Sequence, residues 1–242
     1  MSLKDLLEYR RSVRVYDNEK PIDTDKVRDC LEQAILAPNS SNLQLWEFIH
    51  ITDKSYKDAI TDACLGQTAA STADQWVVFV TRQDLHRKRA QFVLNFEKGN
   101  IDRNSPVARK AKRIAVRETY YGKLMPFLYS RCFRLMGVFR WLLVTVMGWF
   151  RPVVREVTET HMRGVAHKSC ALAAQTFMLA MAEKGYDTCP MEGFDSRRVK
   201  RLLNLPNSAK INMIISCGIR KGNEGIWGER CRVPFDEVYK RI

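Results

Sequence analysis

The chain has 242 residues, 45% hydrophobic and 28% charged, with 12 Gly and 8 Pro; it has material for one sizeable core and is not disordered, collagen-like or a small disulfide scaffold. Forty Lys+Arg against 27 Asp+Glu give a net charge of +13, and residues 82–155 alone hold 17 basic and 4 acidic residues, so the whole excess sits in one middle segment. Seven scattered cysteines with no C-x-x-C pair argue against a disulfide framework or zinc site and for a reducing compartment.

The N-terminus turns charged before any secretory apolar run can form, so a cytoplasmic chain is expected. Leu3, Leu6 and Leu7 recur at helical spacing ahead of the basic run Arg10–Arg14. Asp23 or Thr24 caps a second helix through Val27, Leu31, Ala34 and Ile35, which should stop at Pro38. Aromatic and β-branched residues then mark a strand from Trp46, a short helix follows over Tyr56–Leu65, and Trp76–Thr81 is a second strand.

From Gln83 to Val157 the pattern is helical, interrupted at Gly99, Pro106, Gly122, Pro126 and Pro152, with Leu142–Met147 the one stretch that also reads as a strand. Thr158–Lys184 is a long helix with Gly185 at its C′ position, Cys189–Phe194 a turn, Ser196–Leu203 a short basic helix, and Ile211–Ile219 a buried strand. Few strands and many helices around one sheet, with no linker, predict a single α+β domain over 1–242.

Arg10, Arg11, Ser12 and Arg14 gather three guanidinium groups and a hydroxyl at a helix end, a chemistry suited to phosphate, although basic residues at a helix C-terminus are ordinarily explained by the macrodipole. Pro38, Asn39, Ser40, Ser41 and Asn42 form a loop of small hydrogen-bonding side chains before Trp46. Pro190, Met191, Glu192 and Gly193 form a turn whose glycine permits close approach of a ligand to the backbone. Arg230 and Arg232 flank Cys231 at a spacing that, in an extended chain, aims both side chains the same way.

These four elements, distant and in this order, resemble the FMN-dependent nitroreductases. The family's R-x-S-x-R element is matched by Arg10, Ser12 and Arg14, its P-S-S-x-N-x-Q-P-W loop by Pro38 through Trp46, its P-x-E-G-F turn by Pro190 through Phe194, and its C-terminal basic pair by Arg230 and Arg232. Leu45 stands where the family commonly has proline, and 83–157 matches no family motif and looks like an enlarged helical insert. The resemblance implies a mixed, mostly antiparallel sheet flanked by helices, in a homodimer with FMN at the interface. Arg10, Arg11, Ser12, Arg14, Arg230 and Arg232 would face the phosphate and ribityl chain, Pro38–Asn42 would come from the partner subunit, and Pro190–Gly193 would lie at the flavin ring with Glu192 and Gly193 near N5. Gln67 would be a further ribityl or ring contact. The implied reaction is ping-pong transfer of two electrons from NADH or NADPH to a nitroaromatic, quinone or similar acceptor. A flavin carrier without turnover, or a membrane-associated interaction module, is the alternative.

The flavin would carry the chemistry, so no catalytic side chain is required, and no metal-ligand spacing occurs among the four histidines. The dimer is expected to use Met162, Val165, Ala166, Ser169, Ala173 and Phe177 of the long helix. The insert should form a basic cover beside the active site, with residues 120–150 also suited to peripheral contact with an anionic membrane. Its longest uncharged run, Trp141–Phe150, is too short to span a bilayer, and no base-reading motif accompanies the charge, so nucleic acid is not the expected partner.

Overall fold

A four-stranded sheet lies at the centre of the computed structural model, which describes residues 2–132, 135–226 and 228–242. The elements before the middle segment are α1 (Leu3–Tyr9), α2 (Thr24–Ala34), β1 (Trp46–Ile51), α3 (Lys57–Ala63), α4 (Thr68–Ser71) and β2 (Gln75–Thr81). The middle segment holds α5 (His86–Asn104), α6 (Val107–Arg117), a π-helical turn (Glu118–Leu124), α7 (Met125–Tyr129) and α8 (Leu135–Met147). After it come α9 (Glu159–Glu183), β3 (Asp187–Met191), α10 (Ser196–Leu202), β4 (Lys210–Gly218) and α11 (Phe235–Val238).

The sheet order is β1-β2-β4-β3 and every neighbouring pair is antiparallel. All seven residues of β2 are buried, as expected of an apolar run with strands on both sides and helices on both faces. Trp76, Val78 and Val80 face one core layer with Ile60 and Ala63 of α3, whereas Val77 and Phe79 face the other with Val27 of α2 and Phe177 of α9. This period of two is what a pleated strand requires.

The turn read at Cys189–Phe194 begins instead as strand, because Asp187–Met191 pairs with β4 at the sheet edge. A five-residue segment containing proline carries a weak strand signal, and an edge is where the missing proline N–H is tolerated. The outer side of β3 is covered by the chain after α1: Ser12 and Thr188 form a parallel bridge, and the Val13 N–H donates to the Thr188 carbonyl at 3.2 Å. Asp187, 3% exposed, accepts 2.8 Å bonds from the Arg220 backbone N–H and Nε. The Arg220 guanidinium also lies 4.5 Å from the centre of the Tyr9 ring, tying α1 to the sheet.

The long helix corrects a second expectation. Met162, Ala166, Ser169, Ala173 and Phe177 are all less than 9% exposed within a single chain and Val165 is half-buried against the same chain's core, so this face covers its own core rather than a partner. The face of α9 left outward carries Gly164, Lys168 and Leu172. Spacing alone marks an apolar face without saying which surface covers it.

The segment 83–157 is helical, and Leu142–Met147 belongs to α8 rather than to a strand. Gly99 lies inside α5 and interrupts nothing, whereas Pro106 separates α5 from α6. Arg140, 1% exposed, turns inward: its Nε donates to the Val157 carbonyl at 2.7 Å and its Nη1 to those of Phe127 and Ser130 at 2.8 and 3.0 Å. Burial pushes the pKa of this guanidinium down, while the charge of Glu159 opposes the shift. At Gly137 an added Cβ would meet the Glu159 backbone nitrogen at 3.0 Å, so the inner side of α8 rests directly on the start of α9.

Candidate active site

Helix α1 starts with a capping box, in which Ser2 Oγ accepts from the Asp5 N–H at 3.2 Å and Asp5 Oδ2 accepts from the Ser2 N–H at 2.7 Å. It ends at Tyr9, and Arg10 is already extended, which carries residues 10–14 out along the edge of β3. The Arg14 N–H donates to the Gly225 carbonyl at 2.8 Å. Gly225 has no substitute there, since a Cβ would lie 2.5 Å from the Val15 carbonyl oxygen.

This close approach brings the two ends of the chain together. A pocket of about 290 Å³ is lined by Arg10, Arg11, Ser12 and Arg14 from one end and by Glu229, Arg230, Cys231 and Arg232 from the other. Five guanidinium groups therefore share one pocket, and among the described residues none forms an ion pair with a carboxylate. Arg10 shows the cost: its Nε is buried without a partner, and burial, followed by the charges of Arg230 and Arg232, pushes its pKa down. An anion with several oxygens relieves both the repulsion and the missing hydrogen bonds.

The five arginines are not equivalent. Arg230 donates to the carbonyls of Leu7, Glu8 and Arg10 at 2.7, 3.2 and 2.5 Å, so it caps the end of α1. Arg11 reaches the Gly228 carbonyl at 2.9 Å, and among the described residues Arg232 reaches only the neighbouring Cys231 carbonyl at 2.6 Å. Arg14 has no side-chain hydrogen bond among the described residues. Arg14 and Arg232 are thus the freest to hold a ligand.

At the far end of β3 lies the second part of the site. Glu192 and Gly193 are exposed, while Met191, 2% exposed, is packed into the core and offers only its backbone; Pro190 lies in the strand. Gln67 Nε2 donates to the carbonyls of Gly193 at 2.6 Å and Cys64 at 3.0 Å, which fixes the turn from the side. The Asp195 N–H, bonded to the Ala63 carbonyl at 2.7 Å, fixes it from below. The Gly193 N–H has no partner among the described residues. Ser12 lies beside Thr188, four residues from Glu192, so the basic pocket and this turn are about 13 Å apart at roughly 3.3 Å per strand residue. Strand β3 is in effect a ruler between the arginine pocket and the Gly193 N–H.

The Pro38–Asn42 loop does not line the arginine pocket of its own chain. It is a strained turn, with Ser41, Asn42 and Gln44 at φ of 54, 52 and 49°. Asn39 Oδ1 accepts from the Gln44 N–H at 2.8 Å, Ser169 Oγ of α9 accepts from the Ser40 N–H at 3.2 Å, and Tyr121 donates to the Ser41 carbonyl at 3.2 Å. Ser41 Oγ also lies 2.8 Å from the Tyr120 hydroxyl. Sequence reasoning missed these supports and Gly225. A glycine after a basic turn and a Tyr-Tyr pair in a helical run belong to no recognisable motif.

Known proteins resemble the chain over most of its length. A family model described as the nitroreductase family matches residues 7–219. The Bacillus subtilis protein MhqN, whose name describes it as a candidate NAD(P)H nitroreductase, is 24% identical over 216 residues, covering 89% of this chain and 87% of its own. The solved structure of ydfN from Bacillus subtilis superposes with a TM-score of 0.72 at 22% identity, covering 99% of this chain and 98% of that one. A structure from Exiguobacterium sibiricum, determined in complex with FMN, superposes with a TM-score of 0.69 at 18% identity, covering 100% and 98%.

Proposed function

We propose, from the premise that the chain belongs to the nitroreductase family, that it binds FMN and passes two electrons from NADH or NADPH to a nitroaromatic, quinone or similar electron-poor acceptor. The observation that carries this reading is the pocket of five arginines, which among the described residues pair with no carboxylate, at the opposite end of β3 from a Gly193 N–H that has no partner among the same residues. The residues present fit the cofactor: Arg14, Arg232, Arg10, Arg11 and Ser12 would hold the phosphate, and Gln67, Glu192 and Gly193 would border the ring. Arg230 acts mainly by fixing the end of α1, and Met191 by anchoring the turn in the core.

Bound FMN would supply the hydride chemistry, so the protein's part is to bind and orient. The Gly193 N–H can donate a hydrogen bond to a ring nitrogen without any side chain moving, because Gln67 and Ala63 already hold the turn. The Pro38–Asn42 loop, separate from its own chain's pocket, would complete the site of a second subunit in a cytoplasmic homodimer. A related structure determined with FMN and a relative whose name includes NAD(P)H support the cofactor and donor.

The test is anaerobic reduction by NADH and by NADPH, followed by addition of a quinone or nitroaromatic under the same conditions. The expected result is bleaching of the flavin absorbance by at least one donor and its full return with the acceptor, each half-reaction proceeding without the other substrate. A flavin that neither donor reduces would identify a carrier without turnover.

A further inference from the structure

Helix α8 has one side that the fold uses and one that it does not. At 100° per residue, Gly137, Arg140 and Val144 lie on one face, where Gly137 rests on α9 and Arg140 is held by backbone carbonyls. The opposite face presents Leu135, Val138, Phe139, Leu142 and Val146, from 50% to 68% exposed. Trp149 and Phe150, just past the end of the helix, are 74% and 83% exposed. An uncovered apolar surface of this extent on a helix pinned from behind marks a contact site.

We infer that this face docks in the plane of an anionic lipid bilayer. Residues 119–155 contain no Asp or Glu, and Arg151 and Arg155 stand exposed directly beyond the aromatic pair. Apolar and aromatic side chains bordered by cations match the boundary between acyl chains and anionic headgroups. A second copy of the chain fits less well, because a two-fold contact lays the same cationic border against itself. Thirteen residues at 1.5 Å each give about 20 Å, short of the roughly 30 Å hydrocarbon core, and among the described residues no helix is long and apolar enough to cross a membrane. The helix therefore lies on the surface rather than spanning it. The inference stands apart from the flavin reading, since none of these residues lines the arginine pocket.

The test is co-sedimentation of the whole protein with phosphatidylcholine vesicles, with and without phosphatidylglycerol, at low and high salt, with tryptophan emission as a second readout. The protein should bind the anionic vesicles at low salt with a blue shift, release at high salt, and ignore the neutral ones. Leu142→Ser with Trp149→Ser should abolish the partition while leaving the melting profile unchanged. Arg151→Gln and Arg155→Gln should weaken it about five-fold each. The inference is overturned if anionic vesicles bind no protein at low salt, or if the folded serine variant binds as well as wild type. It is equally overturned if the serine substitutions instead split a larger assembly in sedimentation velocity without lipid, which would assign the face to a second copy.

Discussion

Replacing Arg14 or Arg232 by alanine is expected to weaken FMN binding about ten- to hundred-fold and to leave the fold intact. A lost hydrogen bond to a charged group costs about 1.5–3 kcal/mol, and each 1.4 kcal/mol is tenfold in affinity. These two are the informative positions because neither guanidinium supports another element: among the described residues Arg14 has no side-chain partner and Arg232 reaches only its neighbour's carbonyl. Arg230→Ala should behave differently, lowering stability as well as affinity, since it frees the three carbonyls at the end of α1. Titration of the apo-protein by flavin fluorescence, alongside thermal melts, separates the two effects. Folded Arg14 and Arg232 variants with wild-type affinity would place the phosphate elsewhere.

The second large effect is expected at Arg140, where a buried cation rather than a hydrocarbon fixes α8. Arg140→Met removes the donors to Ser130 and Val157 and strands those carbonyls, at about 1–3 kcal/mol each. The chain should unfold at a clearly lower denaturant concentration. Arg140→Lys keeps the charge but lacks the fork that reaches both carbonyls, so it should recover only part of the loss. An unchanged midpoint for Arg140→Met would show that the helix is held by its apolar contacts alone.

The sequence and the structure agree where a single rule governs a segment. The strand at Trp76–Thr81, a cap for α2 at Asp23 or Thr24, of which Asp23 is the one found, and the Gly185 stop after α9, at a φ of 75°, were readable because each depends on local chemistry. The meeting of Arg10–Arg14 with Arg230–Arg232 in one pocket came from the family resemblance, because a basic helix end taken alone is already explained by the macrodipole.

What escaped reading depends on distant neighbours. β3 is a strand because β4 and residue 12 lie on its two sides, which five residues containing Pro190 do not announce. The apolar stripe of α9 looked like a dimer face because periodicity reports burial but not the identity of what buries it. Met191 stood in a motif of ligand-facing residues, yet strand alternation turns its side chain into the core and leaves the backbone outward. Arg140 counted among the charges of the basic segment until its inward position removed it from the surface. Of residues 127–150, Phe133 and Arg134 lie outside the described residues.

The most direct measurement is a titration of apo-protein with FMN and with riboflavin, which differ only in the phosphate. FMN should bind about a hundred-fold or more tightly than riboflavin, from charged hydrogen bonds worth about 1.5–3 kcal/mol each. The advantage should largely disappear in the Arg14→Ala, Arg232→Ala double variant while riboflavin affinity stays unchanged. Equal affinities for FMN and riboflavin in the wild-type protein would contradict the placement of the phosphate in the arginine pocket.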